Sequence, residues 1–256
     1  CGVEGSSVYL KEGEDTTARE LLYGLMLRSG NDCAATLAVR VSGSIKKFAE
    51  KMNQTAMRAG ALHTRFKNPH GLPEKGHYTT ARDLSMITAL ALENKTFAKI
   101  VNTRRYEPKN WTNKNKMLAE YDGAFGVKTG YTKQAGRCLV SAAERNGMSL
   151  ICTALNCSDT YGESKKLLDD AFAAYDLSLL QAAESPVSLD TKAGKISAKT
   201  GKDLRYPLLS AELPYVKKTT IAFDSPQKDK NGREIYGQLR IYLANSLLFS
   251  ENLFKL

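Results

Sequence analysis

Apolar residues recur at helical spacing over the first two-thirds of the chain and in short runs over the remainder. After the capping-box pattern Thr17-Ala18-Arg19-Glu20, the apolar Leu21, Leu22, Leu25 and Met26 predict a helix that runs out at Ser29-Gly30. A second helix is expected to start at Asn31 or Asp32, both favourable N-caps, and to end before Gly43. A third spans Ser44 to Ala59, with Phe48, Met52, Ala56 and Ala59 on one face and Gly60 as its stop. Residues 65–78 hold Pro69, Gly71, Pro73 and Gly76 and read as a loop, and Thr80 to Leu92 is again helical. Arg137–Ala143 and Met148–Leu155 read as buried strands joined by the hairpin signal Arg145-Asn146-Gly147. Thr160 to Leu180 predicts a helix with Leu167, Leu168, Ala171, Phe172 and Tyr175 on its apolar side.

The pattern changes after Ala182-Ala183-Glu184-Ser185-Pro186. Apolar runs at Val187–Leu189, Ile196–Ala198, Tyr215–Phe223 and Tyr236–Leu243 now alternate with turns, and Asn231-Gly232 marks a further hairpin. The expected organisation is α+β: a mixed helix-and-strand domain over residues 1–182 and a small all-β domain over residues 187–256.

Composition narrows the function only a little. At 256 residues with 42% apolar content the chain has enough material for a sizeable core. A net charge of +10 attracts polyanions without choosing among them, so an anionic envelope surface is an expected partner on this ground alone. No apolar run reaches the length of a membrane span, and Cys1-Gly2-Val3-Glu4 does not read as a signal peptide. Five cysteines (Cys1, Cys33, Cys138, Cys152, Cys157) without a CxxC pair argue against a disulfide framework. His63, His70 and His77 lack the neighbours of a zinc site. The basic and aromatic stretch 104–116 is read as a solvated loop or hairpin. No nucleic-acid partner is expected, because no recognisable nucleic-acid motif accompanies it.

Two short patterns could carry chemistry. Ser29-Gly30-Asn31 sits at a junction between helices, where a hydroxyl and an amide can relay a proton and hold a substrate amide. Lys128-Thr129-Gly130 precedes the Arg137 strand. On an edge strand, the lysine supplies charge for a carboxylate, the threonine a hydrogen bond, and the glycine room for close approach. An extended peptide would lie antiparallel to that edge. A second K-T-G, Lys199-Thr200-Gly201, falls in the β-rich tail and reads as a turn.

Together with their surroundings these patterns resemble the penicillin-binding, serine-type D-alanyl-D-alanine carboxypeptidases of low molecular mass, whose three motifs are S-x-x-K, S-x-N and K-T-G. Leu22–Asp32 is similar to the family's second-motif segment. Asn68-Pro69-His70-Gly71-Leu72, His77–Leu84, Trp111-Thr112-Asn113-Lys114-Asn115 and Gly126–Thr132 continue in the family's order. The resemblance implies a β-lactamase/transpeptidase-like domain followed by a β-rich domain. It implies removal of the terminal D-alanine from peptidoglycan stem peptides through an acyl-enzyme, with β-lactams as ligands, no cofactor or metal, and a place outside the cytoplasmic membrane. Ser29 would then relay protons, and Asn31 would hold the peptide amide. Lys128 would set the electrostatics, and with Thr129, Gly130 and Tyr131 would bind the carboxylate end. His70 is a further candidate contact. A β-lactamase shares the motifs without needing the second domain, and a non-catalytic wall-binding protein would use the Lys128 edge only to hold D-Ala-D-Ala ends.

Two departures accompany the resemblance. None of the 28 residues before Ser29 matches S-x-x-K, so no nucleophile is assigned in this chain. Ser44-Ile45-Lys46-Lys47 and Ser225-Pro226-Gln227-Lys228 both follow S-x-N and are rejected, the second also because it reads as a loop. The intact remaining motifs favour an upstream segment over a genuine fragment or a degenerate binder. The chain also ends at Leu253-Phe254-Lys255-Leu256, before the amphipathic anchor helix that family members often carry. Where some relatives carry an arginine supporting the carboxylate pocket, this chain has Glu163, with Arg137 the nearby cation.

Overall fold

The computed structural model describes residues 2–192 and 194–256, so Cys1 lies outside the described residues. The chain divides into two compact units, Cys1–Asp170 and Ala171–Leu256. In the first unit an irregular segment precedes α1 (Ala18–Arg28), α2 (Asn31–Ser42) and α3 (Ile45–Arg58). The capping box forms: the Thr17 hydroxyl accepts from the Glu20 N–H, and the Glu20 carboxylate accepts from the Thr17 N–H. The second helix begins differently from expectation. Gly30 is the N-cap, without a side-chain bond, so neither the Asn31 amide nor the Asp32 carboxylate occupies the cap position. Gly43 ends the helix in the left-handed region.

The loop over residues 65–78 is closed by a bridge between Arg65 and Tyr78 and leads to α4 (Ala81–Leu92) and α5 (Lys95–Val101). The basic-aromatic stretch is a hairpin, β1 (Arg105–Tyr106) with β2 (Trp111–Thr112). Its aromatics face inward: the Tyr106 ring stacks on Tyr23 of α1 at 4.1 Å between centroids. After α6 (Met117–Glu120), β3 (Ala124–Thr132), β4 (Gly136–Arg145) and β5 (Met148–Ala154) form an antiparallel sheet in that order, with β3 at an edge. The β4–β5 turn has positive φ at both Asn146 and Gly147, the twist that suits a tight hairpin.

Two apolar clusters fix the helices on this sheet. Tyr23 and Leu27 of α1 pack with Ile100 of α5. Val101 packs with Val127 of β3 and Ala142 of β4, and Met26 of α1 joins them. Gly24 lets α1 and α2 approach: a Cβ there would lie 2.7 Å from the Cys33 sulfur and 3.3 Å from the Trp111 ring.

The helix α7 (Thr160–Ala174) stops short of the expected Leu180, and Leu167 is exposed rather than on the buried side. Asp176–Gln181 is instead strand β6, paired with β9 (Leu204–Leu208), which ties these residues to the second unit. The other strands of that unit are β7 (Val187–Thr191), β8 (Gly194–Thr200), β10 (Val216–Lys228), β11 (Glu234–Leu243) and β12 (Ser246–Lys255), in sheet order β10-β11-β12-β8-β7. Its core is Leu189, Ala198, Leu204, Leu208, Leu239, Ile241 and Leu253. Ser225-Pro226, expected in a loop, lies within β10, where the register with β11 breaks between Ala222 and Gln227. A break in the ladder tolerates a residue with no N–H to donate. The second K-T-G serves structure: Lys199 pairs with Glu184 at 2.6 Å, and the buried Thr200 hydroxyl donates to the Lys202 carbonyl.

Among the described residues, no helix is long and apolar enough to cross a membrane, and no group of three or more His, Cys, Asp or Glu side chains could hold a metal ion.

Candidate active site

Helix α1 ends in a backbone conformation that few side chains adopt. Ser29 follows Arg28 with φ +59° and ψ +38°, and the Gly30 N–H donates back to the Gly24 carbonyl. The left-handed region costs a non-glycine residue free energy, and such residues persist where packing on either side fixes them. Here Leu27 is fully buried and Cys33 is buried two residues after Asn31. The turn thereby holds the Ser29 hydroxyl where the Lys128 amine of β3 donates a hydrogen bond to it.

Lys128 also donates to the Thr129 carbonyl at 2.8 Å. Its amine is enclosed, and burial lowers its pKa from 10.5 to about 8, with the positive charge of Lys114 acting in the same direction. Burial disfavours the ammonium, and a neighbouring cation disfavours it further. A serine hydroxyl bonded to an amine that can exist neutral near physiological pH is suited to moving a proton.

The Asn31 amide, released from capping duty, donates to the Glu4 carbonyl at 2.7 Å, and the Asn31 N–H donates to the Ser6 carbonyl at 2.8 Å. The N-terminal segment is thus strapped across the α1–α2 junction. Asp32 is its anchor. The buried carboxylate accepts from the Ser7 hydroxyl (2.6 Å) and from the N–H groups of Val8 (3.2 Å), Leu10 (3.1 Å) and Cys33 (3.0 Å). Burial pushes the Asp32 carboxyl up, but the Ser7, Leu10, Val8 and Cys33 donors together hold it below the ordinary carboxylate range.

On β3, Thr129 pairs with Leu139 and Gly130 with Cys138; Thr129 is half-buried, while Gly130 and Tyr131 are exposed. The structure therefore brings Ser29 and Lys128 into contact, with Asn31 two residues beyond Ser29. His70 lies on the loop over residues 65–78. Its Nδ1 accepts from the Leu72 N–H at 3.3 Å, in a loop stapled by the buried Asn68. Burial, then the charge of His77, lowers its pKa. That loop meets the strap through Leu72, whose methyl lies 3.8 Å from where a Gly5 Cβ would be. Arg137 and Glu163 are both exposed, on β4 and α7.

Three contributors were not assigned roles from sequence: the strap Glu4–Ser6, its anchor Asp32, and Lys114. The signal for Lys114 was its place in the Trp111–Asn115 motif, whose flanking amides build the turn that carries it. Asn113 donates to the Thr103 carbonyl at 3.0 Å, and Asn115 accepts from the Met117 N–H at 3.1 Å.

A model of the peptidase S11 family, D-alanyl-D-alanine carboxypeptidase, matches residues 2–159. The chain belongs to the peptidase S11 family. Among S11 relatives, D-alanyl-D-alanine carboxypeptidase DacF of Bacillus subtilis is 34% identical over 218 residues, 81% of this chain and 54% of the relative. The D-alanyl-D-alanine carboxypeptidase of Streptomyces sp. strain K15 is 40% identical over 168 residues, 59% of this chain and 58% of the relative. The chain thus spans somewhat more than half the length of these relatives. Penicillin binding protein 5 from Haemophilus influenzae superposes with a TM-score of 0.76 at 26% identity, covering 99% of this chain and 77% of that one. The mixed α+β fold with a sheet-rich C-terminal unit is shared with that penicillin binding protein 5.

Proposed function

We propose that the protein carrying this chain is a serine-type D-Ala-D-Ala carboxypeptidase acting on peptidoglycan stem peptides outside the cytoplasmic membrane. The observation that carries this reading is the Lys128–Ser29 hydrogen bond at a strained helix junction, with Asn31 beside it. In the reaction a serine hydroxyl attacks the carbonyl of the penultimate D-alanine. The C–N bond breaks, the leaving D-alanine takes a proton, and water then hydrolyses the acyl-enzyme. Ser29 passes the proton toward the leaving amine, Lys128 stabilises the charge and holds the carboxylate with Thr129, and the Gly130–Tyr131 edge aligns the peptide.

The attacking hydroxyl is not Ser44, whose Oγ caps α3 by accepting from the Lys47 N–H, nor Ser225, within β10 of the second unit. This reading requires an S-x-x-K segment outside these residues. β-Lactams would acylate the same serine. Incubating the full-length gene product with a fluorescent penicillin tests the proposal: a covalent label abolished by mutating the S-x-x-K serine supports it, and no label at any concentration defeats it.

A further inference from the structure

We propose that the pocket between the Glu74–Tyr78 turn and the β3–β4 turn is a subsite for a substrate side chain that ends in an amino-acid group, with Glu74 taking its ammonium and Lys75 its carboxylate. The inference deepens the carboxypeptidase reading and rests on it for the direction in which the peptide lies. A peptide with its terminal carboxylate at Lys128 and Thr129, antiparallel to the open edge β3, sets its last residue opposite Thr129 and the two before it opposite Gly130 and Tyr131. Its amino-terminal part therefore heads for Thr132 and the turn beyond. The Ala135 N–H donates to the Thr132 hydroxyl at 2.9 Å, which fixes that turn around Gln134.

Gln134 lines a pocket of about 440 Å³ whose other wall is the segment from Pro73 to Tyr78. At a strand rise of about 3.3 Å per residue, Gln134 is no more than about 7 Å beyond Thr132, within reach of a long substrate side chain. The turn presents its charges in fixed positions. The His77 N–H donates to the Glu74 carbonyl at 2.9 Å, Gly76 takes φ +80°, and Arg65 and Tyr78 exchange backbone bonds of 2.9 and 3.1 Å. The Glu74 carboxylate accepts from the amide of the buried Asn68 at 3.0 Å, which orients it. Glu74 and Lys75 are both exposed, and among the described residues neither belongs to any of the ion pairs. Lys67 adds to the cationic side: its Cε lies 3.4 Å from where a Gly76 Cβ would stand. Opposite charges held in one pocket without pairing are complementary to a ligand that carries both, whereas a lone ammonium or a lone carboxylate would meet one repulsive partner. A side chain ending in an ammonium and a carboxylate on one carbon satisfies both, and the Gln134 amide supplies an uncharged donor and acceptor beside them.

The test uses the full-length gene product, held inactive by replacing any S-x-x-K serine with alanine, so that peptides bind without turnover. Three peptides ending in D-Ala-D-Ala would be titrated calorimetrically. In the first, the side chain of the preceding residue ends in a free ammonium and a free carboxylate; in the second that amine is acetylated, and in the third that carboxylate is amidated. Each blocked peptide should bind about threefold more weakly than the first, the size of an exposed ion pair. Raising salt from about 0.05 M to about 1 M should erase most of the difference. Glu74→Gln, which keeps an oxygen for the Asn68 amide, should remove the penalty of acetylation and leave that of amidation, and Lys75→Met should do the reverse. Equal affinity for the three peptides, no binding of any of them, or variants that weaken all three alike overturns the proposal. The carboxypeptidase reading fails on a different observation, the absence of a penicillin label on the unsubstituted product, which leaves these affinities standing.

Discussion

Replacing Asp32 by Asn should loosen the strap that crosses the Ser29–Asn31 junction. Both carboxylate oxygens are in use: one takes the Ser7 hydroxyl and the Leu10 N–H, the other the Cys33 N–H, and Val8 is shared between them. An asparagine retains one acceptor and turns its NH2 group toward N–H groups that need an acceptor. Hydrogen bonds to a charged acceptor contribute about 1.5–3 kcal/mol each, and a buried donor left unpaired costs about 1–3 kcal/mol. The cost of the orphaned donor already includes the bond it lost, so the ranges overlap rather than add, and the expected destabilisation is about 2–3 kcal/mol. Trp111 is the single tryptophan and packs against the Tyr23–Leu27–Ile100 cluster, so its fluorescence reports the first unit. With a urea m-value of about 2 kcal/mol/M, the midpoint should fall by about 1–1.5 M. The sign of the pH dependence follows from the depressed carboxyl. Its contribution is present above the unfolded value of about 3.9 and is lost as pH falls through the lower folded value. The urea midpoints of the unsubstituted and D32N chains should therefore converge in acid. A D32N midpoint within about 0.3 M of the unsubstituted chain at pH 7, with Val8 and Leu10 amides still protected from hydrogen exchange, would refute the assignment of Asp32 as the anchor.

Three further outcomes are expected. Because the Lys128 pKa is lowered from 10.5 to about 8 by burial and Lys114, the unfolded chain binds more protons between those values; stability should rise from pH 8 to 9.5 in urea titrations, with a shallower rise in Lys128→Met. Cys33, whose thiol is pushed up to about 12 first by burial and then by Asp32, should react with iodoacetamide at pH 8 on the order of a thousandfold more slowly than an ordinary thiol, as read by mass spectrometry. Gly123→Ala should destabilise the first unit by about 2 kcal/mol or more in Trp111 fluorescence melts, since φ is +78° and the new Cβ would lie 2.2 Å from the Glu144 carbonyl oxygen.

Where local chemistry decided the outcome, it was legible. Thr17 and Glu20 make the capping box, Asn146-Gly147 makes the tight turn, and Ser44 caps α3, all from rules that reach only a few residues. The α7 misreading has a physical reason. Leu177, Leu179 and Leu180 are apolar enough to continue a helical pattern, and only the distant β9 partner settles them as a strand. Strands β9 and β12 went unread for the same reason: Leu204–Leu208 contains Pro207, and Ser246–Lys255 carries Glu251 and Asn252, so both look like loop until the sheet is assembled.

The site divides along the same line. Ser29, Asn31 and Lys128 stand out as motif residues, yet 99 positions separate Ser29 from Lys128, and their contact exists because Met26 and Leu27 of α1, Ile100 and Val101 of α5, and Val127 of β3 lock one element onto the next. A motif names the groups; packing sets the distance at which they act. Asp32 was legible as a polar residue at a helix start, and that reading assigned it to the wrong donors. A carboxylate at a helix start meets whatever N–H groups are nearest, and here the strap supplies three donors where the helix supplies one.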